Sequence, residues 1–565
     1  MEEDELMIKL DGDKKIELAE FEDKKLIRKK LLIRIAIILG IILIAVAIVL
    51  AVTLTNRDDG SNSESGNKDQ EDNPIKVYGK LLCTYEIDSG EISILSKEYD
   101  NNNNLNIYIG DQKINFTKKY NFNLTDSKTV RFEIVSKEFS MKNMFKDVQH
   151  LKKIELNEIK NLKIISMESA FEYCMDLISF HFDPGLDTSE LLSMKKAFSY
   201  CWSLNEILFN NTNLSNVKDM SFMLQGTGLS EFVPDIFDLS SVENMNSMFE
   251  NCYSLNKVIF PKTNSKNLKD ISLMFAGCES LYEINITGLN TSNVINMKAV
   301  FQNCFSLENL YIGSFDTSKV TDMSYIFEFD FSIQNIALET FNTSNVKTMA
   351  SMFIGCNSLI NLNISHFDTH NVEDMSYMFE DIVNLSYSGV ENFDTKNVKN
   401  FEGMFCGCQN LTSLDLSKYD TRKAESMRAM FKGCENLREL NISTWNSENA
   451  IDMSSMFENC RSLQRLELAE FKTTSMKNMF NRCNNLSSLN LAYFDNSLVT
   501  DMNYMFSGCQ NLIFLNLSLF KTSKVKDMTS MFRSCSRLTS LDVSNFDTSN
   551  VQDMSEMFSG MEMLI

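Results

Sequence analysis

At 565 residues the chain exceeds what one compact core usually serves, so several domains or a one-dimensional array of repeats is expected. A hydrophobic content of 44% with only 4 prolines implies that most of it folds. The formal charge of -22, from 54 Lys and Arg against 76 Asp and Glu, argues against a nucleic-acid binder, which needs a basic surface to neutralise phosphates.

Residues 1–34 carry ten acidic against nine basic side chains and show no recognisable domain. Residues 35–54, "IAIILGIILIAVAIVLAVTL", are 20 apolar or near-apolar positions, enough at ~1.5 Å per residue to cross a hydrocarbon core of roughly 30 Å. A cleaved signal peptide is the alternative, but its apolar core usually runs to about 7–15 residues behind a short leader. Lys24, Lys25, Arg28, Lys29, Lys30 and Arg34 precede the segment, whereas Arg57 and Lys68 alone follow it closely. The expected topology is therefore a single transmembrane helix with a cytoplasmic N-terminal tail and an extracellular bulk, at the plasma membrane or cell surface.

Residues 55–74 are polar and aperiodic and read as a flexible stalk. From 75 to 138, short runs such as "LLCTYEI", "LNIYIG" and "TVRFEIV" alternate with Asn, Asp and Gly turns, which predicts a small antiparallel β module of about five strands. It would cap the first open end of the array that begins at residue 139.

Residues 139–565 repeat. Phe249, Phe275, Phe301, Phe327, Phe353, Phe379, Phe405, Phe431 and Phe457 are each 26 apart; after a step of 23 to Phe480 the spacing resumes at Phe506, Phe532 and Phe558. Weaker copies place the marker at Phe145, Phe171, Phe198 and Leu224, giving about seventeen turns. A fixed period of this size is the signature of a solenoid. Within a turn, Val525, Met528, Met531 and Phe532 follow helix-like spacings behind "TSKVKD", whose Ser, Thr and Asp suit a helix start. The later "LxxLxV" or "LxxLxL" fits a short strand with alternate side chains inward. The predicted class is an α/β repeat solenoid of parallel strands and short helical or 3-10 segments. The Met and Phe residues are mainly core, because a 26-residue turn must bury its apolar face against the next.

The phrase "MFxxCxxLxxLxLSxFxTSxVxDMSxMF", clean from Met505 to Phe532 and from Met531 to Phe558, resembles the BspA-like leucine-rich-repeat surface proteins of bacteria and protists. The resemblance covers about three quarters of the chain. It implies a leucine-rich-repeat-like fold, display at the cell surface and, for some members, adhesion to proteins or other cells.

Twelve of the 14 cysteines sit three residues after the marker, from Cys174 to Cys535. One thiol per coil is not the paired spacing of a zinc site. Neighbouring coils at ~4.8 Å bring the Cα atoms within disulfide range, yet parallel stacking rarely offers the required dihedral, so buried reduced thiols are expected. Thr227, Asp330 and Ile382 interrupt the row. Cys406 occupies a normally polar slot and could pair between chains.

Recognition should then use outward strand positions. The candidate face comprises Tyr311, Tyr387, Asn441, Arg465, Glu467, Asn490, Phe514, Asn516, Ser540 and Asp542, a polar and mildly acidic ladder with few aromatics. Candidate glycosylation sites are Asn285, Asn290, Asn342, Asn363, Asn410, Asn441, Asn485 and Asn516, each heading Asn-x-Ser/Thr. The HxxxH pair His366 and His370 lies in a loop phrase, and no catalytic set, metal site or cofactor motif stands apart from the repeat.

The expected function is that of a non-enzymatic, membrane-anchored surface protein that recognises a protein or cell-surface ligand through the strand face. A structural coat glycoprotein without a fixed ligand is the alternative. The chain also ends mid-turn at "MFSGMEMLI", which suggests a sticky terminus as a second route to self-association besides Cys406.

Overall fold

The computed structural model describes residues 76–564, apart from 210–211, 236, 314, 384, 386–388, 447–448, 469–470 and 493. The expected tail, transmembrane segment and stalk lie outside these residues. Among the described residues no helix is long and apolar enough to cross a membrane.

Six strands come first: β1 (Gly79–Tyr85), β2 (Gly90–Ser93), β3 (Leu105–Ile109), β4 (Gln112–Ile114), β5 (Lys119–Phe122) and β6 (Thr129–Ile134). All pair antiparallel: β1 with β6, β3 with β4 and β6, and β2 with β5. Alternation sets the core, since Leu81 lies opposite Phe132 and Cys83 opposite Val130, all four fully buried. The other edge of β1 pairs antiparallel with β8 (Leu151–Asn157), which follows β7 (Glu138–Ser140). Beyond β9 (Lys163–Ser166), β8 pairs in parallel with β10 (Ser179–His181), and β10 with β11 (Glu206–Leu208). The module and the first coils thus share one seven-stranded sheet, and β1 covers the edge that the first coil would leave open.

Further coils contribute short parallel strands one repeat apart. They are β12 (Glu231–Phe232), β13 (Lys257–Ile259), β14 (Glu283–Asn285) and β15 (Asn309–Tyr311), then β16 (Ser413–Asp415) beside β17 (Glu439–Asn441). The pairs β18 (Ala450–Asp452) with β19 (Lys472–Ser475), and β20 (Ser488–Asn490) with β21 (Phe514–Asn516), complete the set. A second parallel ladder links the residue before the first inward Met or Ile of the phrase in successive coils, for example Asp270, Asn296, Asp322, Thr348 and Asp374.

The expected helical segment is absent. The described residues contain only two 3-10 turns, Asn102–Asn104 and Val390–Asn392, and neither lies on a Met–Phe phrase. Instead that phrase is a run of tight turns in which alternate N–H groups point into the next coil. Met528, Ser530, Phe532 and Ser534 donate to the carbonyls of Asp553, Ser555, Met557 and Ser559 at 2.7–2.9 Å, while Met531, Arg533 and Cys535 close turns three residues back. A helix would satisfy those donors within its own coil and leave none to hold the neighbour. The residues two before and two after every marker, such as Ser530 and Ser534, adopt positive φ, which breaks any helix. Helix-like spacing of apolar residues therefore arises here from successive turns.

Side chains reinforce the stack. Consecutive marker rings lie face to face, Phe249 on Phe275 at 5.5 Å and Phe506 on Phe532 at 5.6 Å. Each of the twelve cysteines donates its S–H to the carbonyl of the preceding marker, as Cys278 does to Phe249 at 3.0 Å and Cys535 to Phe506 at 3.2 Å. Buried threonines of the "TS" phrase join coils twice: the Thr343 hydroxyl donates to the Asp368 carbonyl at 2.9 Å and accepts the Asp368 N–H at 2.8 Å. Where the repeat loses three residues, "KTTS" becomes strand β19 and pairs directly with β18, with a register shift at Asp452.

Candidate functional site

On the strand face an outward, inward, outward alternation holds: Glu439 and Asn441 are exposed around buried Leu440, and Ser488 and Asn490 around buried Leu489. The third position of most coils also has local work. The side-chain oxygens of Asp415, Asn441, Asn490, Asn516 and Asp542 accept the N–H two residues on, at 3.0–3.4 Å. These Asx turns end the strand, so much of the polar ladder is explained by backbone satisfaction. At Asp415 the Ser417 N–H and hydroxyl hold the carboxyl below the usual range.

One stretch of the face is concave. An open groove of about 940 Å³ crosses β16 and β17 and the coil after them, over a floor that includes Leu385, Val390, Leu411, Leu414 and Leu440. It begins where the repeat departs from itself. The sequence has Ser388 where the preceding coil has inward Leu362, and Val390–Asn392 forms a 3-10 turn. Gly389 there has φ of 90°, and a Cβ on it would lie 2.6 Å from the Ser365 Cα. The main chain can approach that closely only without a side chain.

Arg438, Glu439, Arg465 and Glu467 rise from the groove walls, all exposed. Several other charges of the solenoid pair one coil apart: Lys257 with Glu283 at 2.9 Å, Lys399 with Glu373 at 2.6 Å, Lys432 with Glu458 at 3.0 Å, Arg461 with Glu435 at 3.3 Å. None of the four groove residues has an ion pair or a side-chain hydrogen bond among the described residues. Two guanidinium groups and two carboxylates thus stand unpaired around one depression. In the adjoining strands Arg465 lies beside Ser488 and Ser488 beside Phe514, so the 57% exposed ring of Phe514 occupies the same row two coils on. A second depression, on the turn side near Arg461, Arg482 and Arg533, has two of its three arginines paired, Arg461 with Glu435 and Arg533 with Glu556.

The structure brings Asn441, Arg465 and Glu467 of the predicted face together in the groove, and places Asn490, Phe514 and Asn516 on the strands beyond it. Ser540 and Asp542 are exposed in the following coil, which forms no strand. Tyr311 is exposed on β15, several coils from the groove, and Tyr387 lies outside the described residues. Sequence reasoning missed Arg438 and Glu439. Their signal was available, since "LREL" and "LQRLEL" put charge on the face in consecutive copies where most others carry Asn, Ser or Thr.

Of the glycosylation candidates, Asn290, Asn342, Asn363, Asn410, Asn441 and Asn485 are exposed, and Asn285 and Asn516 half-buried. The histidines are dispersed: His366 contacts the Leu338 carbonyl at 3.1 Å and His370 the Asp368 carboxylate at 2.6 Å. Among the described residues no cluster of His, Cys, Asp and Glu could hold a metal ion. All cysteines are unpaired; Cys406 alone is half-buried, and burial beside Glu380 and Asp381 raises its thiol pKa.

A family model described as "Mycoplasma protein of unknown function, DUF285" matches residues 137–262, 184–284, 269–388, 382–484 and 474–564, nearly the whole array. The chain belongs to this family. No curated protein matches it. Among solved structures this DUF285 chain is similar to a leucine-rich repeat protein from Bacteroides ovatus, 18% identical over 67% of this chain and 82% of that one, with a TM-score of 0.31. It is also similar to a leucine rich cell surface protein from Faecalibacterium prausnitzii, 14% identical over 75% and 87% of the two chains, with a TM-score of 0.17. A leucine-rich repeat protein from Leptospira interrogans is 13% identical over 60% and 72%, again at 0.17. No ligand is carried over from any of them.

Proposed function

We propose that this DUF285 protein is a membrane-anchored, non-enzymatic surface protein that recognises a macromolecular partner through its strand face, with residues 35–54 as the anchor. The observation that carries the reading is the groove, a concave stretch of the strand face around which Arg438, Glu439, Arg465 and Glu467 stand exposed, without an ion pair among the described residues. Unpaired exposed charges on a rigid concave surface are what a complementary partner requires. The length of the apolar segment and the basic residues before it support the topology.

A coat glycoprotein is the second reading, favoured by sequons on the same face. Protease shaving of intact cells, with mass spectrometry of the released peptides, separates the two. Release of peptides from 76 onward with Asn441 and Asn516 bare is expected for a recognition protein. Dense sugar at those positions would cover the groove rim and favour the coat, and no release at all would overturn surface display.

A further inference from the structure

We infer that the groove receives an extended polypeptide segment presenting acidic and basic side chains in alternation, an inference that rests on recognition through the strand face. Charge complementarity selects this occupant. Arg438 and Arg465 call for carboxylates, and Glu439 and Glu467, with Glu391 and Asp415 of the same lining, call for ammonium or guanidinium groups. A uniformly anionic polymer, such as a sulfated polysaccharide, would satisfy the arginines and be repelled by the glutamates. A neutral glycan would leave all four charges desolvated without partners, which is costly. A polypeptide carries both signs along one extended strand. Side chains two residues apart lie on one face of such a strand, so an acidic and a basic group can both face the groove. The exposed Phe514 ring, two coils from Arg465 in the same row, offers an apolar contact at one end.

The test uses the purified full-length chain in detergent micelles and fluorescence anisotropy with labelled peptides. The probes are a Glu-Ser-Lys-Ser repeat peptide carrying one Phe, in which acid and base alternate on one face of an extended strand, together with poly-Glu and chondroitin sulfate. The alternating peptide should bind saturably and more weakly as salt rises. Arg438→Glu with Arg465→Glu should weaken it about tenfold or more, as loss of two charge-assisted pairs implies. Arg438→Gln with Arg465→Gln, which introduces no repulsion, should weaken it less. Equal or tighter binding of chondroitin sulfate or poly-Glu would overturn the inference in favour of a polyanion, and so would an alternating peptide indifferent to both double variants. Saturable binding of the full-length chain to intact cells, with no binding of the peptide, would overturn this inference and leave surface recognition standing. Absence of cell binding would remove both.

Discussion

Asp330 shows how much a single repeat position can hold. It replaces the cysteine of its coil, is fully buried, and accepts the Cys304 N–H at 3.0 Å, while its second oxygen has no partner. Burial pushes its pKa well above the usual carboxylate range. A carboxyl with a raised folded-state pKa binds its proton more tightly in the native protein. Its contribution is therefore fully present below the unfolded value of about 3.9 and is lost as pH rises toward the folded one, at up to about 1.4 kcal/mol per pH unit. Asp330→Asn keeps the acceptor for Cys304 and removes the titration. The variant should match the wild type near pH 4 and exceed it in thermal stability at neutral pH; parallel pH curves would show that Asp330 does not titrate in this way. The sequence displays Asp330 as a break in the row, but only the packing shows that the break is buried and half-satisfied.

At the scale of one coil, the turn run replaces the expected helix, and left-handed residues carry its cost. A non-glycine residue there costs roughly 1–2 kcal/mol, and the ladder of inter-coil hydrogen bonds and stacked rings offsets it. Phe329 occupies such a position, and the next coil answers with Gly355 at φ of 73°, where a Cβ would lie 2.5 Å from the Phe329 ring. Gly433, at φ of 76°, has nothing nearer than 3.5 Å. Gly355→Ala should therefore destabilise by more than Gly433→Ala, by about 1–3 kcal/mol of overpacking, in urea unfolding. Equal losses would mean that backbone conformation alone governs these positions. The thiols belong to the same scale. In the native chain no cysteine other than half-buried Cys406 should react with an aromatic disulfide reagent, and all 14 should react in denaturant. Rapid reaction of several native thiols would contradict the buried S–H ladder.

Across the whole array, period and inward residues were legible in the sequence because every turn repeats the same burial problem. The Met and Phe phrase is a building unit: Met528, Met531 and Phe532 are fully buried, as are their counterparts in most coils. The helix was misread because a periodic apolar spacing cannot distinguish donors that bond within a coil from donors that bond between coils. The groove was only half legible for a related reason. Arg465 and Glu467 stand out along the row, but the concavity around Leu385 and Val390 and the lack of ion pairs at its walls are not properties of the period. Function in such an array is expected at departures from the repeat, where side chains are released from packing.

The most direct measurement is saturable binding of the full-length chain to intact cells, comparing the wild type with the double variant Arg438→Glu and Arg465→Glu, with thermal unfolding of both as the control for folding. Neither side chain has an ion pair or a side-chain hydrogen bond among the described residues, so unfolding should be unchanged while binding falls about tenfold or more. Undiminished binding by a normally folded double variant would place recognition elsewhere and contradict the groove as the functional site.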